Sequence, residues 1–335
     1  MRLLDLIVQG RCPSVYADDG VELPNALRFT EAVRACPLRF VLTDELVRCA
    51  TQLAFAEGDR LSSCLDLIRV PAQSIWVEWA DRPRRDTLKA IPCLEVKDEG
   101  EARHAGVLIT ASADGRSGHF RAFWSTPAEE ALLSPMVTTF GFGQPPSSAE
   151  IIRNAPWRGE TYLTMEGEPA IEDLLDHFLI HFDEEWAAYY HRHCNTELLR
   201  TAVLRSSLGG CAFDGPMLMA LFLLFGACDM LPRQEIRHER INRLRRQGGK
   251  PPLLEHIELS APIDRPPVGG HVTFGESNRV SPRLHHVRGH IVRRGSSVFW
   301  RSPHLRGSAR LGEVRSRTVL LTYGSHQIER ASMVH

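Results

Sequence analysis

The amino-acid sequence predicts an α+β protein, in which helical segments pack on antiparallel strands and a basic β-ribbon module forms the C-terminal part. Three observations predict this class. Short runs rich in β-branched and aromatic residues occupy the middle of the chain, a strongly apolar stretch lies at 216–231, and the strands and helices do not alternate regularly as in a doubly wound sheet. With 335 residues, 43% of them hydrophobic, the chain can bury a sizeable core.

The N-terminal part is predicted to be helical and the middle to be β-structure. Thr43 precedes two acidic residues and an apolar pattern of helical spacing that ends at Gly58, which is typical of a capped amphipathic helix. Residues 74–79 are rich in β-branched and aromatic residues and predict a strand. Two similar runs flank the turn sequence at 114–118 and predict a hairpin, and residues 137–142 predict a further strand.

In the second half of the chain, the sequence predicts three helices followed by strands. We expect a long helical region at 170–204, a buried helix at 216–231 and a basic helix at 233–246. In the basic helix, the apolar residues Ile236, Ile241 and Leu244 are expected to form a narrow buried stripe. The sequence of 248–252, with two glycines and two prolines, ends this helix. Strands are then expected at 254–259 and 318–323.

The charge of the chain is balanced overall but divided along its length. Residues 1–232 carry 21 Lys and Arg against 33 Asp and Glu, whereas residues 233–335 carry 19 against 8. This division predicts an acidic α+β body at 1–232 and a basic module at 233–335. The alternative is that the two parts neutralise each other, or that the arginines are only solvated.

Cysteine usage and the apolar segments favour a protein of a reduced, cytoplasmic setting. The eight cysteines are scattered without a C-x-x-C pair, and the N-terminal apolar run contains an acidic residue, unlike a signal peptide. The apolar stretch at 216–228 is shorter than the roughly 18–20 residues of a membrane span. We therefore expect no membrane association and a buried role for this stretch.

The most informative segment is the run at 281–294, where arginines and histidines are interleaved with apolar residues. It predicts a short β-ribbon with a turn at Gly295-Ser296. Arginine forks suit phosphate and carboxylate groups, and histidine can donate or accept a hydrogen bond. The candidate binding residues are His285, Arg288, Gly289, His290, Arg293, Arg294, Trp300, Arg301, His304 and Arg306.

These candidates are given different roles. Arg288, Arg293 and Arg294 are expected to make charge-assisted contacts with the partner. Gly289 permits an unusual backbone angle, and His290 fixes the ribbon or touches the ligand. The partner is either a nucleic acid, with Phe299 or Trp300 as a stacking surface, or an acidic protein surface.

Catalytic and metal-binding patterns are weak. His177 and His181 lie four residues apart on a predicted helix with carboxylates nearby, which could hold a metal, but the apolar residues between them favour packing. His191 with His193, and the ribbon histidines, are weaker candidates still. Because no phosphate loop, nucleophile elbow or dinucleotide fingerprint occurs, we expect a protein that is not an enzyme and needs no cofactor. A metal-dependent hydrolase is the remote alternative.

The ribbon resembles the tail of a group of phage- and plasmid-encoded proteins, which carry Pro-His-x-Arg-Arg-Gly-His-Trp followed by an Arg/Trp strand. His285, Arg288, Gly289 and His290 match this pattern, while Val287 and Ile291 depart from it. Similarity to the same group extends to 249–253 and, faintly, to the central strands at 70–78 and 123–124.

The group includes a type V-A anti-CRISPR protein that lowers production of the effector nuclease. The resemblance therefore implies a host-interaction protein of a mobile genetic element. Its partner would be a host protein or ribonucleoprotein, such as the type V effector or its translation complex. Because one fold can carry many functions, the activity is a separate expectation from membership of the group.

Overall fold

The computed structural model describes residues 1–16, 20–91, 102–144, 174–193, 214–226, 231–261, 283–287, 290–301, 304–306 and 308–313. The chain forms two compact units: Met1–Ile263 with Ile291–Trp300, and Asp264–His290 with Arg301–His335. The change of charge sign near residue 232 does not coincide with this division, since the first unit continues to residue 263. The strand expected at 318–323 lies outside the described residues.

The first unit contains helices and one large sheet. Its described helices are α1 (Leu3–Val8), α2 (Thr30–Ala35), α3 (Asp44–Ala56), α4 (Gly58–Ser62), α5 (Asp81–Lys89), α6 (Glu184–His193), α7 (Asp214–Gly226) and α8 (Glu239–Gln247). Its strands are β1 (Val15–Tyr16), β2 (Glu22–Leu23), β3 (Leu38–Leu42), β4 (Ser74–Ala80), β5 (His104–Ala111), β6 (Ser117–Ser125), β7 (Ala131–Gly141), β8 (Phe178–Phe182), β9 (Arg233–Ile236) and β10 (His256–Leu259). None of the described helices is both long and apolar enough to cross a membrane.

Eight strands form a mixed sheet in the order β8-β7-β6-β5-β4-β3-β10-β9. The pairs β3–β4 and β3–β10 are parallel, and the remaining neighbours are antiparallel. The parallel pairs require crossover connections, and α3 lies in the connection between β3 and β4. The predicted α+β class is confirmed, with mostly antiparallel pairing.

The sheet is buried on both faces at β4, which explains why residues 75–77 are apolar in succession. Ile75, Val77 and Trp79 belong to the large core formed with α3 and α7. Trp76, which points to the opposite face, belongs to a second core formed with α1 and α2. Because α7 is buried on all sides, its sequence is apolar all round, as predicted for a central helix.

Two local predictions of the middle region are confirmed. The Thr43 hydroxyl oxygen accepts a hydrogen bond from the Leu46 N–H at 3.5 Å and caps α3. The hairpin β5–β6 forms around a turn in which Gly115 has φ +69°. A Cβ atom at Gly115 would lie 2.4 Å from the Val70 carbonyl oxygen, so the turn requires glycine both for its angle and for its contact.

The predictions for three helical segments are partly wrong. In the N-terminal part, Leu38–Leu42 form strand β3 of the large sheet. Within the region 170–204, residues 178–182 form strand β8 and only Glu184–His193 form a described helix. Residues 233–236 form strand β9 instead of the first turn of a basic helix. Pairing with β10, from Arg233 opposite Leu259 to Ile236 opposite His256, satisfies the backbone of this polar segment, so tertiary context overrides its helical propensity.

The C-terminal strands form two small sheets. Strands β11 (Arg283–Val287), β14 (His304–Arg306) and β15 (Ser308–Glu313) form a sheet in the order β14-β11-β15. Strands β12 (His290–Arg294) and β13 (Ser297–Arg301) form a hairpin. Its predicted turn is confirmed, and Gly295 adopts φ +59° there.

Candidate binding surfaces

Within the first unit, the β12–β13 hairpin is fixed to the segment at 63–66 through one of the predicted binding residues. Arg293 donates from both terminal nitrogens to Asp66, at 2.7 and 2.8 Å, and also to the Ser63 carbonyl oxygen. The Arg293 guanidinium holds the pKa of Asp66 below its usual value, chiefly through these hydrogen bonds. Arg293 therefore anchors the hairpin, and its fork is already occupied.

Two of the other candidates on the hairpin, Arg294 and Arg301, are exposed. Arg294 is exposed, and its guanidinium carbon lies 5.1 Å from the centroid of the Phe299 ring, within cation–π range. Arg301 is exposed at the end of β13. His290 begins β12 and is half-buried, and Trp300 lies on β13.

The remaining candidates belong to the small three-stranded sheet or lie outside the described residues. His285 on β11 pairs with Arg306 on β14, and His304 pairs with Val287. Arg306 is exposed. Arg288 and Gly289 are not among the residues that the structure describes, so their predicted roles remain predictions.

Helix α8 presents a more coherent surface than the ribbon. We define the α8 face as Arg240, Ile241, Arg243, Leu244 and Arg246, all of which are exposed. Ile241 retains 49% and Leu244 62% of its accessible surface, so the predicted buried stripe is wrong at both positions. The α8 face therefore places apolar side chains among arginines on the outside of the protein.

The opposite side of α8 explains why these apolar residues turn outward. Asn242 is 8% exposed; its amide nitrogen donates to the Leu253 carbonyl oxygen at 2.9 Å, and its side-chain oxygen accepts from the Leu253 N–H at 2.8 Å. Arg245 donates through Nε to the Pro251 carbonyl oxygen at 2.7 Å. Because these polar residues fix the inner side of the helix, Ile241 and Leu244 must face solvent.

The charges of the α8 face are largely available. No ion pair involves Arg240 or Arg243 in the part of the chain that the structure describes. Arg246 donates to the Asn242 carbonyl oxygen at 3.3 Å, a contact within its own helix. The helix carries four arginines and one glutamate, Glu239, so the outer surface is cationic.

A group of polar residues lies behind the N-terminal end of α8. The rings of His238 and His256 have centroids 5.5 Å apart. Nδ1 of His256 lies 3.1 Å from a guanidinium nitrogen of Arg2 and 3.3 Å from the Leu254 carbonyl oxygen. Burial, assisted by Arg2, lowers the pKa of His256 to about 4, so this ring is neutral at physiological pH. The group supports the fold under α8, and the ring of His256 carries no charge.

His177 and His181 contact different partners, as the favoured packing interpretation expects, although they do not lie on a helix. His177 contacts the Gly141 carbonyl oxygen through Nδ1 at 2.8 Å, and His181, on β8, contacts the Thr139 hydroxyl through Nε2 at 3.3 Å. In an extended segment, residues four apart are separated by about 13 Å, too far to share a metal ion. Within the described ranges no group of three or more potential ligands could hold a metal ion.

The weaker histidine candidates stay predictions. The side chains of His191 and His193 at the end of α6, and those of His285, His286 and His304 in the ribbon, lie outside the described residues.

Sequence reasoning found the basic character of α8 but not its exposed apolar residues. The signal that could have revealed their exposure is Asn242, a polar residue between Ile241 and Leu244. Its side chain forms two hydrogen bonds to the segment after the helix, so the side of α8 that carries it faces inward. Comparison of the chain with protein-family models, with curated proteins and with solved structures found no match.

Proposed function

We propose that this protein is a host-interaction protein of a mobile genetic element, which acts in the bacterial cytoplasm by binding an acidic host component through the α8 face. The single observation that carries the binding proposal is the exposure of Ile241 and Leu244 among arginines. Apolar side chains surrounded by a charged rim are the usual composition of a protein-binding surface.

A protein partner fits this surface better than a nucleic acid. Single-stranded nucleic acids are usually held by aromatic side chains on which the bases stack, and α8 contains no aromatic residue. Exposed Leu244 would instead fill an apolar depression of the partner, while Arg240 and Arg243 pair with carboxylates around it. The partner is therefore expected to have an acidic surface with an apolar centre.

The biological role that we propose follows from the resemblance of the ribbon to the tail of the phage and plasmid proteins. The matching residues His285, Arg288, Gly289 and His290 support an anti-CRISPR-like activity that lowers production of a type V effector. The partner is then the effector or its translation complex. Arg294, Arg301 and Arg306, which are exposed, provide further cationic contacts.

The proposal is tested by producing a type V effector with and without this protein in bacteria. We expect the wild-type protein to lower the amount of effector, and the double variant Ile241→Ser/Leu244→Ser to lose this effect. Leu27→Ser is the matched control, because Leu27 is 50% exposed on a different part of the unit. Unchanged effector protein and mRNA with the wild type would overturn the anti-CRISPR role.

The binding step is measured separately. Effector translated in vitro is expected to be retained by the immobilised wild-type protein after ribonuclease treatment, and not by Arg240→Gln/Arg243→Gln. Arg69→Gln serves as the charge-matched control, since Arg69 is exposed on a loop remote in sequence from α8. Retention that requires intact RNA would contradict direct protein binding.

Binding of nucleic acid or a ribonucleoprotein is the second candidate, and the exposed arginines of the ribbon favour it. Arg294 and Arg301 lie on adjacent strands and could track a phosphate backbone. This function predicts retention on RNA that weakens steeply with salt and falls in Arg294→Gln/Arg301→Gln. Retention insensitive to salt, or equal in the variant, would exclude it.

A further inference from the structure

Helix α8 carries its two exposed apolar residues one turn apart on one side. Ile241 and Leu244 are three residues apart, so they are neighbours on the helix surface, about 4.5 Å apart along the axis. Both are exposed, whereas Asn242 between them is buried. We call Ile241 and Leu244 the α8 seam, because apolar residues at this spacing form the line along which one helix packs against another.

The charged residues of α8 are distributed unevenly around the seam. With about 100° of rotation per residue, Arg240 lies beside the seam, next to Ile241 in sequence and four residues before Leu244. Arg246 and Glu239 lie on the opposite side of the helix. The carboxylate of Glu239 is therefore directed away from the seam, and the flank of the seam is cationic.

The exposed arginines of α8 repel one another. Arg240 and Arg243 are three residues apart, as are Arg243 and Arg246, and like charges at this spacing destabilise a helix. None of the three forms an ion pair in the part of the chain that the structure describes. A partner that brings carboxylates to this side removes the repulsion and forms charge-assisted hydrogen bonds.

The surroundings of α8 leave room for a segment longer than the helix itself. Residues 247–250, at its C-terminal end, are exposed. A Cβ atom at Gly249 would lie more than 4 Å from every described atom, and one at Gly248 would approach only carbonyl oxygens of α8, at 3.7 Å. The inner side of the helix is fixed by the hydrogen bonds of Asn242 to Leu253. A partner segment can therefore cover the seam and continue past the end of α8.

We propose that the α8 seam receives an amphipathic α-helix of the acidic partner, whose apolar residues pack on Ile241 and Leu244 and whose flanking carboxylates pair with Arg240. This inference rests on the proposed function and specifies the segment of the partner that is bound. A helix repeats its apolar residues every three or four positions, which matches the separation of about 4.5 Å in the seam. Residues on one face of a strand are about 6.7 Å apart and do not match it.

Two other occupants fit the seam less well. A second copy of this chain would place the arginines of one α8 against those of the other, and like charges across an interface oppose association. A nucleic acid would attract the arginines through its phosphates, but a phosphate backbone offers no apolar side chain to Ile241 and Leu244.

The test is titration of the purified full-length protein into a labelled synthetic peptide, followed by fluorescence anisotropy. The peptide has three heptads with Leu at positions a and d and Glu at positions e and g. We expect saturable binding of one peptide per chain, and an affinity at least about tenfold lower in Ile241→Ser/Leu244→Ser. Because both side chains are exposed, this variant is expected to keep the fold, which circular dichroism checks.

The position of the seam is tested by two substitutions that remove the same charge from the same helix. Arg240→Gln should lower the affinity for the peptide at least about threefold, because Arg240 flanks the seam. Arg246→Gln, on the opposite side, is the matched control and should bind the peptide as the wild type does. Equal losses in the two variants would show attraction by net charge alone, as a nucleic acid would also experience, and would overturn the proposal.

The helical conformation is tested with a second peptide. It differs from the first by a proline at an outer position of the central heptad, which breaks a helix but leaves an extended segment intact. We expect this peptide to bind at least about tenfold more weakly than the first. Equal binding of the two peptides, no binding of the first, or self-association of the protein that Ile241→Ser/Leu244→Ser abolishes would overturn the proposal.

These outcomes are distinct from those that test the proposed function. If the effector is retained through the α8 face but the first peptide is not bound, the proposed function stands and the helical partner is excluded. If the peptide is bound as expected but the effector is not retained, the seam is a site for acidic helices and the effector is not its partner.

Discussion

Arg293 and Asp66 form a two-pronged ion pair, with nitrogen–oxygen distances of 2.7 and 2.8 Å, that joins the β12–β13 hairpin to the 3₁₀ turn at Leu65–Leu67. The apolar side of the hairpin adds to this attachment, since Ile291 is 6% exposed and Val298 packs against the large core. The hairpin is thus held by the polar contacts of Arg293 and by the apolar contacts of Ile291 and Val298.

The first prediction concerns this attachment. In Asp66→Asn the bidentate pair is lost, and the amide hydrogens of 291–299 should exchange faster with solvent. Exchange in β5 and β6 should stay as in the wild type, because local opening does not require global unfolding. Hydrogen exchange followed by mass spectrometry measures both. Asp59→Asn, an exposed aspartate of α4, is the control.

The same contact should respond to pH in a defined direction. Arg293 lowers the pKa of Asp66 in the folded protein, so the contribution of the pair is present above the ordinary pKa of aspartate. It is lost as the pH falls through the lowered value. If the amide hydrogens of the hairpin exchange at the same rate in Asp66→Asn and in the wild type at neutral pH, Ile291 and Val298 hold the hairpin without the ion pair.

Sequence patterns predicted the elements that depend on neighbouring residues. The cap at Thr43, the turn at Gly115 and the turn at Gly295 each follow from the conformational preferences of one or two residues. Helix α7 was predictable because a stretch that is apolar all round must be buried.

The errors arose where distant segments decide the structure. Residues 233–236 have a helical composition, yet pairing with β10 makes them a strand. Leu244 was expected to be buried from its apolar character, but the hydrogen bonds of Asn242 to Leu253 turn the helix the other way.

The second prediction concerns the buried ion pair between Arg84 and Asp214. Asp214, the first residue of α7, is 4% exposed, and Arg84 also pairs with Asp81 at 2.7 Å. Replacement by Asn leaves the buried guanidinium with one fewer counter-charge, so Asp214→Asn should lower the free energy of unfolding by about 3 kcal/mol.

Chemical denaturation measures this change, and Asp86→Asn provides the comparison. Asp86 lies 3.6 Å from Arg82, and both side chains are mostly exposed. Its removal should change stability by no more than about 0.5 kcal/mol. Equal effects of the two substitutions would mean that the buried pair at α7 contributes no more than a surface pair.

The third prediction separates the inner and outer sides of α8. Asn242→Ala should lower the free energy of unfolding by about 1–3 kcal/mol, because the N–H and carbonyl of Leu253 lose their partners. Leu244→Ala should change it by less than about 0.5 kcal/mol, since this side chain is 62% exposed. Denaturant unfolding of both variants tests the orientation of the helix. A larger loss for Leu244→Ala would place that residue in the core.

The last prediction concerns Glu78, which is fully buried on β4 beneath helix α1. Its carboxylate accepts the N–H groups of Leu3 at 2.7 Å and Leu4 at 2.9 Å and the indole N–H of Trp76 at 3.2 Å. Burial raises the pKa of Glu78 to about 7, with a smaller contribution from the charge of Asp5, and the three donors oppose this rise. The group therefore titrates near neutral pH in the folded protein.

Because the folded pKa lies above the unfolded value, the proton binds more tightly to the native state between about pH 4.5 and about pH 7. The contribution of protonated Glu78 is complete below this window and is lost as the pH rises through about 7, by roughly 3 kcal/mol in total. Glu78→Gln cannot titrate. The difference in free energy of unfolding, wild type minus variant, should therefore fall as the pH rises from about 5 to about 8.

Urea denaturation of wild type and Glu78→Gln at several pH values gives this difference directly, and titrations shared by both proteins cancel in it. Gln also directs an amide NH₂ group towards donors, which lowers the stability of the variant by a similar amount at every pH. This constant cost shifts the curve without changing its slope. A difference that is independent of pH would show that Glu78 remains ionised throughout, with its three donors outweighing the cost of burying its charge.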